Sequence, residues 1–234
     1  MTLQPATRVW RYMSFAKLID ILQKKKLWLS SAELLDDKWE VMPDSQQLNS
    51  IINKRPSSIS AEAVFEQTAN TVKVQRKQTF INCWTASEHE SHALWRIFCP
   101  SPEGVAIQTT LDRLKKSVGL PVLEVMYGSK ETNGTMPDVY KLVTQKRPMF
   151  AYEQEVRVVL VRDLSDPDHP EHRTVGAEIN WDPELHLENI WIHPEAPFWF
   201  CETVTEAVLR LAPKLCDEGL PRVWFSTLSS PPPF

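Results

Sequence analysis

The chain has 234 residues, with 18 prolines, nine tryptophans and only six glycines. Glycine stands at under half the roughly 7% usual in proteins, and the six are scattered, which excludes a Rossmann or P-loop phosphate cradle. A net charge of −4, with 42% hydrophobic and 24% charged residues, excludes wholesale disorder and gives no strong nucleic-acid signature.

Residues 8–13 alternate as a strand, and Ser14 is placed to cap a helix with Phe15, Leu18, Ile19 and Leu22 on one face. Lys24, Lys25 and Lys26 read as its solvated C-terminal end, and residues 27–30 as a second strand. A helical insertion follows at about 43–78, broken by Pro56, with Val64, Phe65 and Val72 in its apolar stripe. Strands are expected at 79–86 and 104–109, helices at 89–98 and from 110 to 118, and a strand at 121–127. Residues 138–146 read as helix, 155–161 as the clearest strand, and 163–173 as a turn-rich hairpin connection. Strands at 174–180 and 187–193, a helix at 197–216, a strand at 222–226 and a flexible proline-rich tail at 229–234 complete the chain. The expected architecture is a single α+β domain over 1–228, with a mixed, mainly antiparallel sheet and flanking helices. No apolar run approaches the ~20 residues of a membrane span, and four cysteines without an export-like start read as reduced thiols. A cytoplasmic protein with no membrane partner is the expectation.

Four clusters carry candidate chemistry. In Trp10-Arg11-Tyr12, the planar fork of Arg11 suits an anion, or Arg11 simply faces solvent. In Asp36-Asp37-Lys38-Trp39-Glu40, the acids suit Mg²⁺ or a ribose hydroxyl, or form a solvated first helical turn. Cys83, His89, His92 and Cys99 match no common zinc spacing, so no metal site is expected. The sharpest cluster is Tyr152-Glu153-Gln154-Glu155-Val156-Arg157. Period-two geometry puts Glu153, Glu155 and Arg157 on one face of an apolar strand, where charges need partners or a purpose.

In order, Arg11-Tyr12, Leu27-Trp28-Leu29-Ser30, Asp37 with Glu40, Cys83-Trp84-Thr85, Leu94-Trp95, Gly104-Val105-Ala106-Ile107 and Tyr152-Glu153-Gln154-Glu155-Val156-Arg157 span about residues 10–226. Together they resemble the bacterial family known as domain of unknown function 2971. The chain departs from that family's N-D-P-x-E at Asp36 and Lys38, from its C-F-S serine at Thr85, and from its tryptophan at Phe150. The order of elements is more distantly similar to ADP-ribosyltransferase folds, possessing a split sheet and holding NAD without a glycine-rich loop. That similarity implies NAD as a substrate, no tightly bound cofactor, and a macromolecular acceptor or partner protein. It implies Glu155 as stabiliser of an oxocarbenium ion, Glu153 as activator of the acceptor, and Arg157 beside them. It implies NAD contacts from Arg11, Tyr12, Ser30, Trp28, Trp84 and Thr85, with Asp37 and Glu40 as an acidic motif. Two other readings stay open. One is a Mg²⁺-dependent nuclease or phosphodiesterase using Asp37, Glu40, Glu153 and Glu155; the other is a non-catalytic sensor or interaction module, for example in phage defence.

Overall fold

The computed structural model describes residues 3–128, 134–162, 175–217 and 220–229. Its elements in chain order are β1 (Arg8–Ser14), α1 (Phe15–Lys24), β2 (Lys26–Ser31), α2 (Ser45–Asn53), α3 (Ala61–Gln78), β3 (Thr79–Ala86), α4 (His92–Phe98), β4 (Gly104–Thr110), α5 (Leu111–Val118) and β5 (Val122–Glu124). They continue with β6 (Met126–Tyr127), α6 (Val139–Val143), β7 (Gln145–Lys146), β8 (Glu155–Val161), β9 (Gly176–Asn180), α7 (Pro183–His186), β10 (Asn189–Ile192), α8 (Phe198–Leu211), β11 (Cys216–Asp217), β12 (Leu220–Pro221) and β13 (Val223–Phe225). The fold is α+β, and its chain divides into two compact units: residues 1–27, 83–120 and 178–234, and residues 28–82 and 121–177.

In the first unit, β1 pairs antiparallel with β4 along its whole length, from Arg8 opposite Thr110 to Ser14 opposite Gly104. β4 also pairs antiparallel with β10, which runs parallel to β13. The alternation in β1 sends Trp10 and Tyr12 into a core with Leu94, Trp95, Cys99 and Ala106. Tyr12 meets Trp95 edge-on at 4.9 Å, and its hydroxyl accepts from the Ser91 backbone N–H. α1 buries Leu18, Ile21 and Leu22 at helical spacing, as its periodicity requires. Ser14 stands at the N-cap of α1 but makes no capping bond with its side chain. The lysine run is ion-paired: Lys24 and Lys26 reach Glu178, and Lys25 reaches Asp182 and Glu184.

In the second unit, β2 and β3 pair antiparallel through Ser30–Ile81 and Ser31–Phe80, and β8 pairs with both β3 and β5. The insertion forms α2 and α3. Asp44 and Gln47 close a capping box on α2, and Ser60 caps α3. Arg76 of α3 donates to the Ala32 and Lys38 carbonyls, fixing the helix to the segment after β2. Val64 and Val72 are buried, while Phe65 points to solvent, so the stripe is narrower than its sequence pattern.

Several boundaries depart from the sequence reading. Residues 121–127 split at Val125 into β5 and β6, which pair with different partners. The helix expected over 138–146 ends at Val143, because residues 145–146 leave it to pair in parallel with β6. The helix before Phe98 starts at His92, where Ser91 caps it, and α8 stops at Leu211 ahead of Pro213. The 163–173 connection and the tail from 230 lie outside the described residues.

Trp28, 42% exposed, lies across Gly176 at the start of β9. A Cβ at position 176 would strike the Trp28 ring and come within 2.6 Å of the Leu29 carbonyl oxygen. Gly176→Ala should therefore cost about 1–3 kcal/mol in urea unfolding, and Trp28→Ala in the same chain should recover only the share due to the ring, since the Leu29 carbonyl stays in place. An unchanged midpoint for the single variant would contradict this packing.

Candidate active site

The second unit gathers five charged side chains at the start of β8. Glu155 and Arg157 share one face of the strand, and Arg157 Nε donates to Glu155 Oε2 at 2.6 Å. Glu153 is not part of that strand. It ends a 3-10 turn over Pro148–Glu153, and Gln154 takes a left-handed conformation at φ 45° before the strand begins. The turn, not strand periodicity, brings the Glu153 carboxyl back beside Glu155. Lys146, at the end of β7, donates to Glu153 Oε2 at 2.6 Å and to Glu155 Oε1 at 2.9 Å. Glu40 adds a third carboxylate, 3.4 Å from Lys146 and bonded to Arg157 Nη2. Arg157 Nη1 donates to the Val143 carbonyl at 2.8 Å, and the Glu155 N–H donates to the Tyr127 hydroxyl at 2.8 Å. Arg157, Glu40, Glu153 and Glu155 are all buried.

Three carboxylates face two cations, so full ionisation would leave one uncompensated negative charge out of water. That imbalance is resolved by a proton. Burial raises Glu153 to about 7, reinforced by its hydrogen bond with Glu155 and partly opposed by Lys146. Glu155 goes the other way: burial would raise it, but Arg157, Glu153 and Lys146 together hold it well below the usual carboxylate range. Lys146 is stabilised as an ammonium, because Glu155 and Glu40 outweigh its desolvation. Burial also lifts Tyr127 to about 12, which keeps its hydroxyl neutral.

The sign of the resulting pH dependence follows from these directions. Glu153 binds its proton more tightly in the fold than in the unfolded chain. Its contribution to stability is therefore complete below about pH 4.5 and is lost as pH rises through about 7. Glu155 contributes in the opposite sense, above its unfolded value. Between pH 5 and 8 the Glu153 term should cost about 1 kcal/mol, allowing for solvent screening, and Glu153→Gln should flatten that decline. Urea midpoints across this range measure it; a variant as steep as the wild type would contradict the shared proton.

Asp37, expected with Glu40 in one acidic motif, is turned elsewhere. Its carboxylate accepts both Nε and Nη2 of Arg147, at 3.1 and 3.0 Å, and also the Trp39 N–H at 3.1 Å. Glu40, Glu153 and Glu155 converge as a nuclease reading requires, yet they converge on an ammonium and a guanidinium. Among the described residues no group of three His, Cys, Asp or Glu could hold a metal ion. The Cys99 thiol is buried and donates to the Met13 and Val105 carbonyls.

The remaining residues singled out in the sequence stand as follows. In the first unit, Trp84 is buried against Trp181, and Thr85 is buried opposite Trp10 in the ladder. Tyr12 belongs to the core already described. Arg11 keeps part of its surface accessible, but its Nη1 is enclosed and has no hydrogen-bond partner among the described residues. Burial lowers Arg11 to about 10, with a small opposing contribution from Cys83. In the second unit, Ser30 is half-buried in the β2–β3 ladder, and Trp28 is the exposed indole over Gly176. Lys146, Arg147 and Tyr127 were not singled out in the sequence. The adjacent Lys146-Arg147 pair, six to seven residues before the first glutamate of the motif, was the available signal.

No family model matches the chain, and no curated protein matches it. Similar solved structures are those of Thermus sp. 2.9 DarT. The complex with ADP-ribosylated ssDNA is 13% identical at a TM-score of 0.44, over 96% of each chain. The complex with NAD+ is 12% identical at a TM-score of 0.40, over 96% of this chain and 97% of that one. No helix among the described residues is long and apolar enough to cross a membrane.

Proposed function

We propose that this chain cleaves the glycosidic bond of NAD and passes ADP-ribose to a macromolecular acceptor, with Glu155 and Glu153 as its acid pair. The observation that carries this reading is the convergence of the two carboxylates, bridged by Lys146 at 2.6 and 2.9 Å with Arg157 on Glu155 alone of the two; burial raises Glu153 while the cations hold Glu155 low. Glycosidic cleavage needs both. As the bond from the ribose C1′ to the nicotinamide nitrogen breaks, its electrons neutralise the pyridinium and nicotinamide leaves without a proton. Positive charge then develops at C1′, where the Glu155 carboxylate opposes it in a low-dielectric setting. The acceptor attacks C1′, and the proton it loses passes to Glu153. Arg157 and Lys146 keep Glu155 ionised and fix its orientation. Ser30 is assigned the nicotinamide ribose, with Trp28, Trp84, Thr85 and Tyr12 as the further NAD contacts.

The burial of Glu40, Glu153, Glu155 and Arg157 favours a second reading, in which the ion pairs specify the fold of a non-catalytic binding module. Incubation with NAD labelled in its adenylate half, together with cell protein and nucleic acid, separates the two. Transfer of label to a macromolecule, or free ADP-ribose with nicotinamide, is the result expected for the enzyme. Intact NAD in every mixture would leave the binding module.

A further inference from the structure

In the first unit β13 is an edge strand. β10 occupies one of its sides, and no strand among the described residues occupies the other. The Ile190 N–H donates to the Arg222 carbonyl, and the Ser226 N–H donates to the Ile192 carbonyl. Arg222, Trp224 and Ser226 therefore turn their backbone groups toward β10, while Val223 and Phe225 turn theirs outward. Edge strands are commonly guarded by lysines, prolines or a bulge. Between residues 222 and 229 there is no proline, and the only charged residue is Arg222. Trp224 is 52% exposed and Phe225 41%, and Phe198 of α8, at 68%, stacks on Phe225 with ring centroids 6.2 Å apart. A hydrogen bond of 2.9 Å from Trp224 Nε1 to Asn189 Oδ1 fixes the indole.

We infer that the occupant of this edge is a second copy of the chain, paired through β13 as a two-fold antiparallel ladder. The order of residues in the strand is self-complementary. A two-fold axis at Trp224 sets Trp224 opposite its own copy and Val223 opposite Phe225 on both sides of the axis. Val223 and Phe225 then exchange the N–H and C=O bonds that each aims outward, and the two indoles meet in the closer, non-hydrogen-bonded pair. One face pairs aromatic with aromatic, and the other pairs β-branched with aromatic. Arg222 falls opposite Ser226, so the two arginines do not oppose each other. At roughly 150–250 Å² per aromatic side chain, the three exposed rings offer about 250–400 Å² per copy. Doubled, and with the flanking exposed Leu220 and Leu228, that reaches on the order of the 1,000 Å² a specific interface needs. The dimer goes beyond the proposed enzyme chemistry and does not rest on it.

Sedimentation of the full chain from about 1 to about 500 µM should show a monomer–dimer equilibrium with a Kd on the order of 10 µM. Trp224→Lys sets two ammonium groups face to face, and Val223→Pro removes an outward donor without breaking the β10 ladder. Each should weaken the dimer about ten-fold or more. Trp224→Cys reads the register. Two thiols at the axis lie within disulfide reach, so diamide should link the copies, while Val223→Cys, set off the axis, should link no more than the wild type. A monomer at every concentration, a dimer of full strength in both disrupting variants, or equal linking at 223 and 224 would overturn the proposal. So would a chain that dimerises only once residues 230–234 are removed, since its own terminus would then be the occupant.

Discussion

Arg157→Met should destabilise the protein by about 3–5 kcal/mol in urea unfolding. The side chain has no exposed surface, and it bonds both Glu40 and Glu155 while also satisfying the Val143 carbonyl. Methionine fills much of the same volume, so the loss is one of charge pairing more than of packing. Three carboxylates would then share Lys146 alone, and they would take up protons or admit water. Adding Glu40→Gln and Glu155→Gln to the same chain should recover much of the loss, because neutral amides remove the uncompensated charge. A single-variant cost under about 1 kcal/mol would show that the cluster is not the keystone of the second unit.

Glu155→Gln should lower nicotinamide release from NAD by about 10²–10³-fold, the usual cost of removing one preorganised electrostatic contact to a transition state. Glutamine keeps the length of the side chain and an oxygen that can accept from Arg157, so the thermal midpoint should fall far less than for Arg157→Met. Glu153→Gln should behave differently. Bond cleavage itself needs no proton, so nicotinamide release should persist, while transfer to the acceptor should fall and lose its rise through about pH 7. Equal losses for the two variants on both readouts would mean that the pair does not divide its labour as described.

Much of this arrangement was legible from the residue pattern, and the unreadable parts have physical reasons. Period-two geometry correctly paired Glu155 with Arg157, since β8 is an unbroken strand. The same rule misplaced Glu153, because a left-handed glutamine carries no local signature of the kind glycine or asparagine would. Lys146 was hidden in what reads as the basic end of a helix. Only its parallel pairing with Tyr127, nineteen residues earlier in the chain, turns it into a strand. Asp37 and Glu40 looked like one motif by proximity, yet the two side chains serve different cations. In the first unit β1 and α1 form where the pattern places them, but β1 buries both faces through Val9, Trp10, Tyr12 and Met13, and α1 buries Ile21 while Ile19 of the expected stripe stays half-buried.

The division of the acid pair into one fixed carboxylate and one proton carrier is measured directly by titrating the side-chain carboxyl carbons of the glutamates by NMR, with Glu153→Gln and Glu155→Gln chains assigning the resonances. The expected result is a Glu153 carbon that titrates near pH 7 and a Glu155 carbon that stays charged well below pH 4. Two carbons that titrate together near the ordinary glutamate value of about 4.3 would contradict it, and with it the chemistry assigned to the site.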